Sequence, residues 1–454
     1  MNGAKTIEIA VVGHTNTGKT SLLRTLSRDT RFGEVSDRPA TTRDVRGVLL
    51  LADGEPVVAL YDTPGLEDAM GVSALLAEQH ADAADPVAAV EVFLAGDHGN
   101  GRYEQEAKVL RQMLRSDAAL YVVDAREPVR AKHREELRLL AACGKPLLPV
   151  LNFVASGEAD AGTWRAQLAR LGLHVLAEFD TVVYDARAER SVFERLASLL
   201  EDRRADFERL QASREREREA LIDAACRAVA ELLVDAAGAR RHGALDADSE
   251  SLHEQLRDAI RGAEQRCVDT LLGLFRFELD AYIPPALPLQ QGRWQLDAFD
   301  PQTLRHFGIR TGSAAAAGGA AGLAVDAAVG GMSLGAAALL GAGIGAGWSA
   351  LRSFGQPWLD RLRGEQRIAL EEPTLALLAA RQCLLLRALL RRGHASQDRV
   401  HTDTPQGWPS EALRQAVLRC RAHPEWSRLN GSADGSVPAP VLRHLVASVR
   451  ALLN

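Results

Sequence analysis

Residues Thr6-Ile7-Glu8-Ile9-Ala10-Val11-Val12 form a short apolar run. It leads into Gly13-His14-Thr15-Asn16-Thr17-Gly18-Lys19-Thr20 and then into a helix-like stretch carrying Leu22, Leu23 and Leu26. This order constrains the fold more than any other feature. A G-x4-G-K-T loop needs a buried strand before it and a helix after it. The glycines let backbone N–H groups turn inward around a phosphate, and the helix N-terminus adds partial positive charge. Lys19 places a point charge on the β and γ oxygens, and the Thr20 hydroxyl ligates Mg2+. Gly13, Thr17, Gly18 and Ser21 complete the expected cradle. The alternative is a glycine turn that holds no ligand.

The first 200 residues alternate short apolar runs with helical stretches, the pattern of a parallel α/β sheet. Strands are predicted at Thr6–Val12, Asp44–Leu51, Pro56–Tyr61, Ala118–Val123, Pro146–Leu151 and within His174–Tyr184. The second and third are joined by the turn Ala52-Asp53-Gly54-Glu55. Amphipathic helices are predicted at Tyr103–Leu114 and Ala131–Ala142. The expected fold is therefore α/β, a P-loop NTPase with a doubly wound sheet. A mainly α-helical C-terminal domain follows, containing an Ala/Gly-rich helical hairpin. From Glu189 to about Tyr282 apolar residues recur at helical spacing, among them Leu196, Leu200, Phe207, Leu210, Leu221, Ala225, Val229 and Leu232. The charged run Arg214–Glu219 reads as a solvated helix face. The predicted divisions are 1–200 for the nucleotide domain, 201–300 for a helical region, 301–360 for the Ala/Gly hairpin and 361–454 for a C-terminal helical region. Helices are expected at Pro373–Arg392, Glu411–Arg421 and Val441–Leu453.

A chain of 454 residues is too long for one ordinary core. Its formal net charge is −6, and no block is strongly basic, so a duplex-coating role is not expected and nucleic acid is an unlikely partner. The only lysines are Lys5, Lys19, Lys108, Lys132 and Lys145, so no lysine catalyst lies beyond Lys145. Cys143, Cys226, Cys267, Cys383 and Cys420 form no C-x-x-C pair, and they read as reduced thiols of a cytosolic protein. The run from Met1 into the first strand leaves no signal peptide, so a cytoplasmic location is expected.

Two companions strengthen the phosphate-loop reading. Asp62-Thr63-Pro64-Gly65 follows the third strand, 42 residues beyond Thr20. An Asp there holds a Mg2+-bound water, and Gly65 beside the γ-phosphate can switch its peptide on hydrolysis. Ala40-Thr41-Thr42-Arg43-Asp44 precedes the second strand, and Thr42, with Thr41 as the alternative, is the candidate to close onto Mg2+ and the γ-phosphate. The metal set is thus Thr20, Thr42 and Asp62.

Asn16, Thr41-Thr42-Arg43-Asp44 and Asp62-Thr63-Pro64-Gly65-Leu66 resemble the TrmE–Era–EngA group of bacterial GTPases. The resemblance covers roughly residues 5–200. The whole-chain organisation is also similar to Era-like GTPases with a C-terminal domain of unknown function. The first resemblance implies GTP as substrate, with Lys19, Asn16 and Thr42 in catalysis. Leu66 stands where many small GTPases keep a water-orienting Gln. In the family an Asn at the place of Asn16 helps hold K+ near the phosphates, which implies a K+-stimulated enzyme completed by homodimerisation of its G domains. The N-K-x-D base motif of the family appears as Asn152-Phe153-Val154-Ala155: Asn152 remains and the carboxylate is gone. Guanine is favoured on family grounds, with adenine or weak discrimination as alternatives. Asp160 lies too far along to substitute without a rearranged loop, and Asp185-Ala186-Arg187 is a faint match to the loop that touches the base.

Between Arg310 and Arg352 lie 41 residues with one charge, Asp326, dominated by Ala and Gly. Ala327–Ala350 is long enough for a transmembrane helix, and glycines four apart, such as Gly331/Gly335 and Gly341/Gly345, permit close helix contact. Ala and Gly carry little transfer energy, so the alternative is a tightly packed soluble hairpin. The favoured expectation is a switch enzyme whose helical half meets the cytoplasmic face of the inner membrane or a membrane protein. A ribosome- or RNA-associated GTPase and a nucleotide-binding module with little turnover are the other readings.

Overall fold

The computed structural model describes residues 5–28, 45–79, 85–181, 185–244, 248–275, 288–307, 309, 323–325, 365–390, 408–431 and 436–453. The chain divides into two compact units, the first running to Glu217 and the second beginning at Arg218.

The first unit holds a six-stranded sheet of order β2-β3-β1-β4-β5-β6. Its strands are β1 (Ile7–Val12), β2 (Arg46–Ala52), β3 (Glu55–Asp62), β4 (Ala118–Asp124), β5 (Leu147–Asn152) and β6 (Ala177–Glu178). All neighbouring pairs are parallel except β2–β3. In β1 the side chains alternate between two apolar cores. Ile7, Ile9 and Val11 pack with Leu22, Leu23 and Leu26 of α1 (Lys19–Ser27), while Ala10 and Val12 face the opposite core. Both faces are covered, which is why the strand is apolar throughout rather than alternating. The hairpin between β2 and β3 turns at Asp53 (φ 52°) and Gly54 (φ +85°), both in the left-handed region that a tight antiparallel hairpin requires. At the outer edge, among the described residues of the predicted 174–184 strand, Ala177 and Glu178 pair with β5. Just beyond them the chain leaves the ladder, because the Thr181 amide donates instead to the side chain of Asn152 (3.0 Å).

Between β3 and β4 lie α2 (Ala69–Gln79), α3 (Pro86–Ala95), α4 (Asp97–Asn100) and α5 (Glu104–Arg115). The sequence pattern does not reveal the first three. Much of that stretch is Ala, Val and Leu on every side, so no polar face marks the helical period. The unit continues with α6 (Ala131–Ala141), α7 (Ala161–Arg170), α8 (Ala186–Leu199) and the first turns of α9 (Arg204–Gly238), whose Phe207 and Leu210 join the core beneath β1.

The second unit is mainly helical, with the remainder of α9, α10 (Ser249–Leu274), α11 (Pro301–His306), α12 (Glu372–Leu390), α13 (Glu411–Cys420) and α14 (Ala439–Arg450). Against the continuous helical expectation, β7 (Arg240–Ala244) interrupts the 189–282 stretch. A two-stranded hairpin, β8 (Leu289–Gln290) and β9 (Arg293–Trp294), comes next, then β10 (Leu323–Val325) and β11 (Glu365–Leu370). The order β10-β11-β7 makes an antiparallel sheet. Arg240 anchors its start. Its amide donates to Asn430 Oδ1 (2.7 Å), and its guanidinium donates to the carbonyls of Ala237, Ala239 and Arg421. Of the Ala/Gly segment only Leu323–Val325 is described, as the strand β10; the expected hairpin otherwise lies outside the described residues.

Helix α12 is long and apolar enough to cross a membrane (mean hydropathy 1.4), yet 72% of that stretch is buried. Leu375, Leu378 and Leu386 pack with α9 and α10 in one core, the behaviour of a soluble core helix. Within that core Arg381, 1% exposed, meets Glu264 (Nε–Oε1 3.3 Å) and lies over the Trp294 ring. Gln382 donates to the same Glu264 oxygen (3.0 Å). Burial pushes the Glu264 carboxyl up and the Arg381 guanidinium down, and the attraction between them opposes both shifts. The five cysteines are free and buried, and burial pushes their thiols up, Cys143 and Cys383 to about 12.

Candidate functional site

The site lies at the C-terminal ends of β1 and β3, where an open α/β sheet binds ligands. At Val12 the strand gives way to Gly13, and a left-handed Gly18 (φ +89°) admits the chain to α1. A Cβ on Gly18 would stand 2.3 Å from Asn152 Nδ2, and one on Gly13 the same distance from the Val122 carbonyl oxygen. Asn16, exposed at the loop tip, also takes a left-handed φ of 65°, which Asn tolerates better than most side chains.

The loop closes on itself. Thr17 Oγ1 donates to the His14 carbonyl (3.0 Å), and Lys19 Nζ donates to the carbonyls of Gly13 (3.1 Å) and His14 (2.7 Å). Lys19 is 7% exposed, and burial lowers its ammonium to about 8, with Asp62 and Glu136 pulling the other way. The ammonium is thus held mainly by neutral carbonyls, so an incoming anion finds a buried cation short of countercharge. The Thr15 hydroxyl is also buried, with no hydrogen-bond partner among the described residues. Thr20 Oγ1 donates to Asp62 Oδ2 (2.6 Å), which brings together two predicted metal-site residues, one from the first turn of α1 and one from the end of β3. Hydroxyl and carboxylate oxygens are the donors Mg2+ prefers, and amides with an ammonium suit a polyphosphate, so the residues present fit both groups. Ser21 lies in the first turn of α1. Thr41 and Thr42 lie outside the described residues.

The Asp62–Gly65 loop packs directly on the glycine loop. A Cβ on Gly65 would come within 2.8 Å of the Thr15 amide nitrogen, so only glycine fits. Leu66 N donates to the Gly13 carbonyl (3.2 Å), and its side chain is fully buried, away from any role with water. The His14 ring turns inward at Nδ1. That nitrogen bonds the Leu66 carbonyl (2.7 Å) and Glu136 Oε1 (2.9 Å). Glu136, 1% exposed on α6, also accepts from Tyr121 OH (2.7 Å). Sequence reasoning missed this cluster. The available signal is a glutamate sharing the buried face of α6 with His133, Leu137 and Leu140.

Asn152 is the junction of the site. Its Nδ2 donates to the Thr17 carbonyl (2.9 Å), while Oδ1 accepts from Phe153 N (2.9 Å) and Thr181 N (3.0 Å). Phe153 has a φ of 60°, and the Arg126 guanidinium lies 4.1 Å over its ring. Asp160 and Asp185 serve as N-caps of α7 and α8. Asp124, at the end of β4, accepts from the Arg126 amide and guanidinium.

Gly18→Ala is expected to cost about 2–3 kcal/mol in urea unfolding, since strain at positive φ adds to displacement of the buried Asn152 amide. Gly54→Ala, at a similar φ with nothing within 4 Å of the new methyl, is expected to lose only about 1 kcal/mol. Equal losses would show that the Asn152 contact carries no energy.

Residues 8–153 match the family described as 50S ribosome-binding GTPase, and residues 165–440 match the domain of unknown function DUF3482. GTPase Der of Akkermansia muciniphila is 33% identical over 154 residues, 33% of this chain and 27% of that protein. The tRNA modification GTPase MnmE of a Picosynechococcus species is 30% identical over 157 residues, 34% of this chain and 28% of that protein. The chain therefore spans under a third of the length of these curated relatives. Among solved structures, Aquifex aeolicus Era bound to GDP and aluminium fluoride is 20% identical, over 39% of this chain and 52% of that one, with a TM-score of 0.29.

Proposed function

The chain belongs to the DUF3482 family, with a P-loop GTPase domain ahead of the family's own domain, and from that premise we propose that it binds and hydrolyses GTP as a switch. The observation that carries this reading is the convergence of Lys19, the Gly13–Gly18 loop and the Thr20–Asp62 pair at the end of one mostly parallel sheet. In this reading the loop amides and Lys19 hold the β- and γ-phosphates, and Thr20, Asp62 and Thr42 present oxygens to Mg2+. The metal, when bound, neutralises charge on the transferring phosphoryl group. Gly65 lies beside the γ-phosphate, where a change of peptide orientation on hydrolysis would release Leu66 from Gly13 and His14. With Leu66 apolar and buried, charge stabilisation is assigned to K+ held by Asn16, completed by pairing of two G domains.

The output half of the proposal is coupling to the cytoplasmic face of a membrane or to a membrane protein. Its support is the uncharged composition of residues 327–350. The alternative, a ribosome- or RNA-associated GTPase, takes support from the description of the matching GTPase family and from the name of the MnmE relatives.

One measurement tests these parts together: Mg2+-dependent turnover of GTP and ATP by the full chain in K+ and in Na+, with and without vesicles of anionic phospholipid. Turnover is expected to prefer GTP and to run at least about tenfold faster in K+. The protein is expected to co-sediment with vesicles in one nucleotide state. Equal rates in Na+ and K+ would remove the role given to Asn16. Absence of sedimentation in every state, with binding to ribosomal RNA instead, would favour the alternative.

A further inference from the structure

Two buried carboxylates stand outside the set assigned above to phosphate and metal. They are Glu136 on α6, 1% exposed, and Glu106 on α5, 4% exposed. Both hold the chain just after Gly65. Glu136 Oε1 meets the same His14 Nδ1 that bonds the Leu66 carbonyl, and its Oε2 accepts from Tyr121 OH on β4. Glu106 Oε1 accepts the amides of Glu67 (3.2 Å) and Asp68 (2.9 Å). Asp68 in turn accepts the Gly71 amide (2.9 Å) in the first turn of α2. With the Leu66 amide on the Gly13 carbonyl, the backbone of three successive residues is anchored.

Taking a carboxylate out of water is costly, and an apolar side chain fills a core position without that cost. What these two carboxylates secure is the path of residues 66–68 rather than the packing of α5 and α6. That path matters because of Gly65. It lies so close to the glycine loop that a Cβ there would stand 2.8 Å from the Thr15 amide nitrogen. Anchoring Leu66, Glu67 and Asp68 restricts where the Gly65 peptide can point.

We propose that Glu136 and Glu106 are positioning residues that keep the Gly65 peptide pre-set for the γ-phosphate, and so set the preference for triphosphate over diphosphate. Glu136 acts through His14, and Glu106 acts through the amides of Glu67 and Asp68. A loop already ordered in the nucleotide-free protein loses little freedom when the γ-phosphate arrives. A diphosphate has no group at that place and gains nothing from the same order. Removing an anchor therefore weakens triphosphate binding selectively.

This inference rests on the GTP-binding reading above, and its test separates the two. Affinities of the full-length protein for GDP and for a non-hydrolysable GTP analogue, both with Mg2+, are measured by fluorescence competition. Glu136→Leu and Glu106→Leu are each expected to lower the ratio of triphosphate to diphosphate affinity by roughly tenfold. Glu136 also attracts the Lys19 ammonium, an effect that both nucleotides feel. Glu136→Gln and Glu106→Gln remove the charge yet keep an oxygen for His14 or for the two amides, and are expected to keep the wild-type ratio. His14→Phe cuts the Glu136 clasp from the loop side and is expected to match Glu136→Leu, so the test stands even where a Leu variant does not fold. If the wild type binds the analogue, and His14→Phe and the folded Leu variants keep its ratio, the positioning role is overturned while the GTP-binding reading stands. Gln variants that lose as much as the Leu variants overturn it too, because charge rather than anchoring would then set the ratio. A wild type that binds no triphosphate overturns both.

Discussion

Lys19→Ala is expected to lower GTP turnover by roughly a hundred- to a thousandfold, the range for removing one positioned group that stabilises developing charge. Affinity for the Mg2+ triphosphate should fall with it. The loss is not expected to come from unfolding, because the nucleotide-free protein holds this ammonium at a cost. Burial sets the folded-state value at about 8, below the ordinary 10.5. Between these values the unfolded chain carries a proton that the folded chain lacks. Stability of nucleotide-free protein therefore rises with pH across that window, by up to about 3 kcal/mol. Below pH 8 the full cost of the charged form is present. Urea melts between pH 7.5 and 10 check this: the rise should vanish in Lys19→Ala. It should also shrink in wild type saturated with Mg2+ and nucleotide, where phosphate oxygens hold the ammonium. A slope identical in all three would mean that Lys19 is not the group being desolvated.

Glu264→Ala is expected to destabilise the second unit by about 3–5 kcal/mol, because it strands Arg381 in an apolar core. Arg381 is 1% exposed, its guanidinium lies over the Trp294 ring, and the attraction of Asp297 for it is weaker than that of Glu264. Against a typical domain stability of about 5–15 kcal/mol, this is a large fraction. The double variant Glu264→Ala with Arg381→Met removes both charges, and most of the loss should return. Chemical denaturation followed by circular dichroism measures both. A double variant no more stable than Glu264→Ala alone would show that packing, rather than the stranded charge, dominates this locus.

The parts of the site that were legible in the sequence share a local origin. The strand before Gly13 is apolar throughout because both faces of β1 are covered, and the G-K-T spacing is contiguous in the chain. The Thr20–Asp62 pair was also legible, because an Asp at the end of a second buried strand reaches the same sheet edge. Asn152 was recognised by its resemblance to a base motif. Its second bond, to Thr181, was not, since that partner is defined only by where β6 leaves the sheet. Likewise Asp180 carries no local mark. Its bond to the Ala155 amide exists only because β6 lies beside β5.

Amino-acid order alone determined the phosphate loop, the doubly wound strands and the helical character of the C-terminal half, because periodicity and backbone propensity act over a few neighbouring residues. Tertiary structure decided that Arg240–Ala244 is a strand, since its ladder partner lies at Glu365–Ala369 and no local pattern favours pairing. It also decided that His14 clasps Leu66 and Glu136, and that α12 is the heart of a core. Each of these rests on hydrogen bonds or burial between residues far apart in the chain, and such contacts exist only once the elements are packed.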